Sequence, residues 1–375
     1  MFFPGDVYEF PTKLIHILME INYQNNVPVA LLLSDCHCGK ETVTDFIVNW
    51  NEAITICLSR DIRKILFLGD LVLSRSAQTL DILLAIHDVL ADCRKHQIQV
   101  IMINGNHCKV NQESPRGYCN VFDSFENVRV INEWEEIRLT DSLGIGMVSY
   151  FPENGSFVEK LEQLEERMFA IPYNKRLLMI HQGIRGGLQH STESELSANL
   201  FSRWDNVLVG HYHDRCRVGN NIEYIGASRQ FNFGENEDKG YTLLFEDGNF
   251  EFIQNKDNTR YRVIDVPIEK VDVHLSDQLE EIKEDGRYRI KVRVHTSSGK
   301  VATLDKEKLM NSGASKIEVI AQDVRPIETV ESSLFDKFDN RKIKESYEKF
   351  CNEKEIDDVE LGLMYLAKAG LTCGN

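Results

Sequence analysis

The sequence has no long apolar run. Its longest apolar stretches, such as VPVALLL at 27–33, are far shorter than the roughly 20 residues that cross a membrane as a helix. The first residues, MFFPGDVYEF, lack a basic segment followed by an apolar one, the pattern of a secretory signal. We therefore expect no membrane association.

The sequence also lacks a cysteine framework. It has nine cysteines, an odd number, and no repeated CxxC pair. This pattern argues against a disulfide scaffold and a four-thiolate zinc site. We expect free thiols in a reducing, intracellular compartment.

Positive charge is in deficit. The chain has 43 Lys and Arg against 59 Asp and Glu, for a net charge of −16 and a pI of about 5.2. This balance argues against an autonomous, basic nucleic-acid clamp. It leaves a phosphate substrate open, because bound metal ions supply local positive charge. At 375 residues and 42% hydrophobic composition, the chain has room for two or three ordinary domains.

Short apolar runs recur along the first two thirds of the chain. Continuous runs of this length are typical of strands that are buried on both faces. The five runs lie at 28–35, 64–70, 100–107, 177–183 and 207–213. Helical patterns at 44–60 and 76–96 separate the first three runs, which gives the order βαβαβ. We therefore predict an α/β layered core.

The pattern changes after residue 213. Residues 221–254 are rich in glycine and aromatics and predict antiparallel strands. A small α+β domain is predicted at 262–326, from alternating strands at 287–295 and 316–322 and a short helix at 305–313. A polar linker at 327–342 and an amphipathic helical segment at 343–375 follow.

Every one of the five apolar runs ends in polar residues that can bind metals. In open α/β sheets, ligands collect beyond the carboxyl ends of the strands. If the segments stay extended, residues two apart face one way, so Asp35 pairs with His37, and His211 with His213. Cys36 and Cys38 would then point away. The candidates are Asp35, His37, Asp70, Asn106, His107, His181, His211 and His213.

The candidate ligands are mixed carboxylate, amide and imidazole groups. Such a set suits Mn²⁺, Fe²⁺ or Zn²⁺ better than calcium or a thiolate zinc site. Seven ligands are too many for one tetrahedral ion and suit two ions that share a carboxylate. We predict two divalent metal ions, Mn²⁺ first, with Mg²⁺, Fe²⁺ and Zn²⁺ as alternatives.

In chain order, the run ends are DCH (35–37), GD (69–70), GNH (105–107), IHQG (180–183) and GHYH (210–213). This ordered set resembles the calcineurin-like metallophosphoesterase superfamily. The stretch YIGASRQFNFGENEDKGYTLL (224–244) is similar to a segment of its DNA-repair nuclease branch, which includes SbcD-like subunits and a phage recombination endonuclease subunit.

The resemblance implies a two-sheet α/β core flanked by helices, with a small α+β capping domain and C-terminal helices. The domains would be a nuclease domain at 1–261, a capping domain at 262–326, a linker at 327–342 and a partner-docking helical segment at 343–375. Asp35, His37, Asp70 and His213 would bind one metal. Asp70, Asn106, His181 and His211 would bind the other. His107 would be catalytic and would protonate or stabilise the leaving oxygen.

The resemblance also implies a function and partners. The chain would be a phosphodiesterase that cleaves DNA as an exonuclease or endonuclease, in the cytoplasm of a bacterial or phage-infected cell. It would act with an SMC-like, SbcC-like ATPase and as a homodimer, through residues 76–96 or 113–125. The alternatives are a phosphatase or cyclic-nucleotide phosphodiesterase of the same superfamily, or a weakly active metal-binding scaffold.

The sequence departs from the nuclease pattern at two positions. Leu73 stands where these nucleases commonly have a phosphate-binding histidine after GD, and Cys108 stands where many have Asp or Glu after GNH. These departures leave all seven predicted metal ligands in place.

Overall fold

The computed structural model describes residues 27–188, 194–271, 286–297, 304–311 and 313–321, together with a few single positions. The chain divides into two compact units, Met1–Val294 with Asp305–Val319 and His295–Leu304 with Ile320–Asn375. The architecture below is that of the first unit. Apart from isolated positions, the predicted linker (327–342) and helical segment (343–375) lie outside the described residues.

The first sheet has six strands in the order β12-β11-β1-β2-β3-β4. Strands β1 to β4 are parallel, whereas β11 and β12 extend the sheet antiparallel beyond β1. The strand bounds are Pro28–Leu33 (β1), Lys64–Phe67 (β2), Gln99–Ile103 (β3), Val128–Ile131 (β4), Gly240–Phe245 (β11) and Phe250–Gln254 (β12).

The second sheet also has six strands, in the order β5-β6-β7-β8-β10-β9. Its centre is parallel from β6 through β7 and β8 to β10, and β5 and β9 are antiparallel edges. Its strands are Trp134–Arg138 (β5), Leu143–Val148 (β6), Lys175–His181 (β7), Asn206–Gly210 (β8), Cys216–Val218 (β9) and Ile222–Tyr224 (β10).

The two sheets and their helices form four layers. One hydrophobic cluster joins alternate residues of both sheets, including Leu32 of β1 and Leu177 of β7, so the sheets pack face to face. Helices α1 (Val43–Ser59) and α2 (Leu80–Lys95) cover the outer face of the first sheet. Helix α3 (Phe157–Phe169) covers the second. The predicted two-sheet α/β core is confirmed.

A third sheet has the order β13-β14-β15, with strands Arg260–Pro267, Tyr288–Thr296 and Lys316–Ala321 and a short helix α4, Lys306–Asn311. It falls in the region predicted as a capping domain, and the domain boundaries stay a prediction. None of the helices that the structure describes is long and apolar enough to cross a membrane.

The predicted elements end earlier than expected where they meet the polar motifs. All five strands stop before or at the first candidate ligand, and α2 begins at Leu80 rather than 76. The antiparallel prediction for 221–254 is right for β11 and β12. It was wrong for β10, which also pairs parallel with β8, and for 225–239, which holds no strand.

Candidate metal centre

Four candidate ligands have a left-handed backbone that residues other than glycine rarely adopt. The φ angle is +52° at Asp35, +41° at His37, +58° at Asp70 and +87° at His211. Each such residue costs on the order of 1–3 kcal/mol, and residues of this kind cluster at functional sites. Backbone hydrogen bonds hold the turns, since Asp35 N–H donates to the Gly69 carbonyl at 3.0 Å.

The expectation of extended segments was therefore wrong. Asp35 and His37 still meet in one group of ligand atoms, but through a tight turn rather than a strand face. His211 and His213 belong to different groups, so they do not form a pair. The cysteines were predicted correctly, because Cys36 and Cys38 are fully buried in the core beneath α1.

The first group of ligand atoms surrounds the His37 imidazole. His37 Nε2 lies 3.0 Å from His213 Nε2, 3.7 Å from Asp35 Oδ1 and 3.6 Å from Asp70 Oδ2. Asp35 Oδ1 is buried and has no hydrogen-bond partner among the described residues. A buried acceptor of this kind beside two imidazole nitrogens fits a cation.

The second group surrounds the side-chain amide of Asn106. One side of this amide lies 3.2 Å from Asp70 Oδ2, 3.1 Å from His181 Nε2 and 3.2 Å from His211 Nδ1. His181 Nε2 is also 3.2 Å from Asp70 Oδ2. The same Asp70 oxygen thus faces both groups, which is the position of a bridging carboxylate.

Each carboxylate is held by one oxygen and presents the other. Asp35 Oδ2 accepts from the Ser34 hydroxyl at 2.5 Å and from the His211 backbone N–H at 3.0 Å. Asp70 Oδ1 accepts from the His107 backbone N–H at 2.8 Å. Because these bonds fix both carboxylates, their free oxygens are aimed at the ligand groups before any cation binds.

Two of the histidines donate their other ring nitrogen to a fixed acceptor. His181 Nδ1 bonds to the Leu68 carbonyl at 2.7 Å, and His213 Nδ1 bonds to Glu235 Oε1 at 2.9 Å. Since these acceptors take the N–H, Nε2 of each ring carries the lone pair and faces the centre. Glu235 also accepts from the Phe231 backbone N–H, which holds the carboxylate in place.

The protonation of the imidazoles follows from burial and charge. Burial lowers the pKa of His37 and of His211 to about 4, so both keep a lone pair at neutral pH. Burial opposes protonation of His181, but the Asp70 carboxylate outweighs it and raises the pKa of His181 to about 10. A cation in the second group would therefore displace a proton from His181.

His107 lies at the edge of the centre. Its Nδ1 is 2.6 Å from the Leu73 carbonyl, which can only accept, so Nδ1 carries the proton. Its ring meets that of His37 edge-on, with centroids 4.8 Å apart. The Nε2 atom is left to act on a bound substrate.

The two departures from the nuclease pattern have different surroundings. Leu73 is 48% exposed. Cys108 is fully buried, accepts from the Leu71 N–H at 3.3 Å and lies 3.7 Å from the Cys119 sulfur. Among the described residues, the groups that could hold a metal contain no cysteine, so Cys108 belongs to the core.

Sequence reasoning missed two residues at this centre. Glu235 lies in the stretch quoted for the family resemblance, but no spacing rule links it to His213. Arg75, whose guanidinium Nη2 is 2.7 Å from the Asn106 amide, follows the GD motif in a polar loop. Neither residue carries a signal in the sequence alone, because both contacts depend on how loops fold back over the strand ends.

The chain has partial similarity to known proteins. No family model matches the sequence. Over 174 residues it is 25% identical to the SbcD component of the nuclease SbcCD from Staphylococcus saprophyticus, an alignment that covers 39% of this chain and 45% of that protein. The alignment thus spans less than half the length of this relative. Together with the ligand groups, the similarity supports a metal-dependent phosphoesterase.

Two solved structures share parts of the architecture. A dimetal phosphatase from Danio rerio matches with a TM-score of 0.41 and 11% identity, over 59% of this chain and 94% of that one. The nuclease MPE of Pseudomonas putida matches with a TM-score of 0.25 and 16% identity, over 52% and 66%. At these scores neither likeness adds to the argument from the site itself.

Proposed function

We propose that this protein is a metal-dependent phosphodiesterase that cleaves DNA, as the nuclease subunit of an SbcCD-type repair or recombination complex. The observation that carries the proposal is the pair of ligand groups that share Asp70, with His107 beside them. Two cations held in this way would bind the attacking and leaving oxygens of a phosphoryl transfer.

The residues divide the chemistry among them. Asp35, His37 and His213 would hold one cation, Asn106, His181 and His211 the other, and Asp70 would contact both. When bound, the ions would acidify water and neutralise the phosphate charge. The Nε2 atom of His107 would supply a proton to the oxygen that leaves phosphorus, while the Leu73 carbonyl fixes the ring through Nδ1.

DNA as the substrate and an ATPase as the partner rest on the relative's description as part of a nuclease complex. The net charge of −16 supports a division of labour in which a partner supplies most of the DNA binding. We propose an SMC-like ATPase for that role, a homodimer of this chain, and the cytoplasm as the site of action.

The test is cleavage of end-labelled DNA by the full-length protein with Mn²⁺. We expect degradation by the wild-type protein and none by Asp70→Asn, because this change removes the shared carboxylate charge. His107→Gln should lower kcat by about 10²- to 10⁴-fold while Mn²⁺ still binds, since only proton transfer is lost. Titration calorimetry with Mn²⁺ separates the two effects.

His87→Gln is the matched control, because His87 is exposed and pairs with Asp88 away from the centre. Cleavage that survives Asp70→Asn would contradict the proposal. Wild-type turnover of p-nitrophenyl phosphate or a cyclic nucleotide without DNA cleavage would favour a phosphatase or small-molecule phosphodiesterase instead. Mn²⁺ binding without any turnover, also in the presence of the ATPase, would favour a scaffold.

A further inference from the structure

The loop after β2 wraps around one edge of the metal centre. Leu73 N–H donates to the Cys38 carbonyl at 3.1 Å, and the Leu73 carbonyl accepts from His107 Nδ1. Two residues further on, the Arg75 carbonyl accepts from the Tyr118 hydroxyl at 3.4 Å. The backbone of this loop is therefore fixed next to the centre, and the side chain of Arg75 starts from a fixed point.

The guanidinium of Arg75 reaches the second ligand group. Its Nη2 lies 2.7 Å from the side-chain amide of Asn106, on the side opposite to Asp70 and His181. The side chain is exposed, and Arg75 forms no ion pair with a carboxylate among the residues that the structure describes. It thus holds a full positive charge at the mouth of the centre.

The chemistry of the amide decides what this contact can be. The guanidinium only donates, so it can bond to Asn106 only through the amide oxygen. A cation in the second group needs that same oxygen, since an amide nitrogen carries no free lone pair for it. When Asn106 turns its oxygen to the cation side, its NH₂ group faces Arg75 and the two donors cannot bond. Arg75 then needs another acceptor.

We propose that Arg75 binds the phosphate group of the substrate at this centre, at the edge where Leu73 provides no polar side chain. The inference rests on the proposed phosphoester function and adds a residue that contacts the substrate. A phosphate held between the ligand groups directs its remaining oxygens toward the mouth, where Arg75 lies. The planar guanidinium fork binds two such oxygens at once.

The test uses the full-length protein loaded with Mn²⁺ and orthophosphate as the probe. We expect Arg75→Gln to weaken orthophosphate binding by about tenfold or more, the loss of a charge-assisted hydrogen bond, while Arg75→Lys should be intermediate. Mn²⁺ affinity should stay within about twofold of the wild type, because no metal ligand has changed. Titration calorimetry measures both affinities, and hydrolysis of bis(p-nitrophenyl) phosphate should show a raised KM.

Arg116→Gln is the matched control, since Arg116 is an exposed arginine that pairs with Asp123 at 3.6 Å. Orthophosphate binding that is unchanged in Arg75→Gln, or absent in the wild type, would overturn the inference. A parallel loss of Mn²⁺ affinity would also overturn it, because Arg75 would then support Asn106 rather than the substrate. Phosphate binding that depends on Arg75 without any DNA cleavage would refute the proposed function and leave this inference standing.

Discussion

At the scale of single residues, Glu235 shows how a histidine becomes a metal ligand. Its carboxylate takes the Nδ1–H of His213 at 2.9 Å and so commits Nε2 to the centre. Burial lowers the pKa of His213, but the hydrogen bond to Glu235 outweighs it and raises the pKa overall. The partner therefore makes the imidazole both oriented and more basic.

We expect Glu235→Ala to weaken Mn²⁺ binding by about 10- to 100-fold, because the His213 ring loses its orientation. Glu235→Gln should lose less, since its amide oxygen still accepts from Nδ1. Asp238→Ala, an exposed acidic position in the same loop, is the control. Calorimetry gives the affinities, and equal binding in all four proteins would show that Glu235 does not orient the ligand.

The sequence was sufficient to predict which residues meet at the centre but not how they meet. The order of the motifs after apolar runs placed Asp35, Asp70 and His181 near one another. The left-handed turns were not predictable, because Asp and His carry no strong preference for positive φ. Whether His213 faces one ligand group or the other depends on the course of a loop that no periodicity describes.

At the scale of elements, the turn after β2 depends on a glycine. Gly69 has a φ of +96°, and a Cβ there would lie 2.5 Å from His181 Nδ1 and 2.9 Å from the Gly105 Cα. Its carbonyl also accepts from the Asp35 N–H. One residue therefore sets the approach of three ligand-bearing loops.

We expect Gly69→Ala to lower the unfolding free energy by about 1–3 kcal/mol and to reduce Mn²⁺ affinity, because His181 or the Gly105 backbone must move. Gly219→Ala is the matched control. Gly219 also has a positive φ, of +60°, but a Cβ there meets nothing within 4 Å. Urea denaturation and calorimetry make the comparison. A Gly69→Ala protein that loses no more stability than the control and binds Mn²⁺ normally would contradict this account.

The strands and helices that were predicted share strong periodicity, and those that were missed lack it. The βαβαβ order from β1 to β3 followed from continuous apolar runs and amphipathic helices. Strand β6 has the sequence LGIGMV, and glycine weakens a strand pattern. The structure supplies the reason, since a Cβ at Gly146 would lie 2.7 Å from Leu164 of α3 and 2.8 Å from Trp204.

At the scale of the whole molecule, the centre lies where the two sheets meet. Asp35, Asp70 and Asn106 follow strands of the first sheet, whereas His181 and His211 follow strands of the second. Cations bound between these groups would cross-link the two halves of the core. Metal binding is therefore coupled to the stability of the fold.

We expect removal of divalent metal with EDTA to lower the melting temperature by several degrees. A site held at 100 times its Kd adds about 2.7 kcal/mol to stability. In a protein of this size, each kcal/mol corresponds to roughly 2–4 °C. Differential scanning calorimetry with and without Mn²⁺ measures the shift. Asp70→Asn should abolish most of it, and a full shift in that variant would place the stabilising metal elsewhere.

The second sheet is built from one uninterrupted stretch, Trp134 to Tyr224, whereas the first is completed only when β11 at Gly240–Phe245 pairs with β1. During synthesis on the ribosome, all seven ligands emerge before the strand that closes the sheet beside the first of them. Glu235, which orients His213, also emerges after the last ligand. The nascent chain thus carries every ligand well before it has a centre, and metal capture becomes one of the last events in the maturation of this domain.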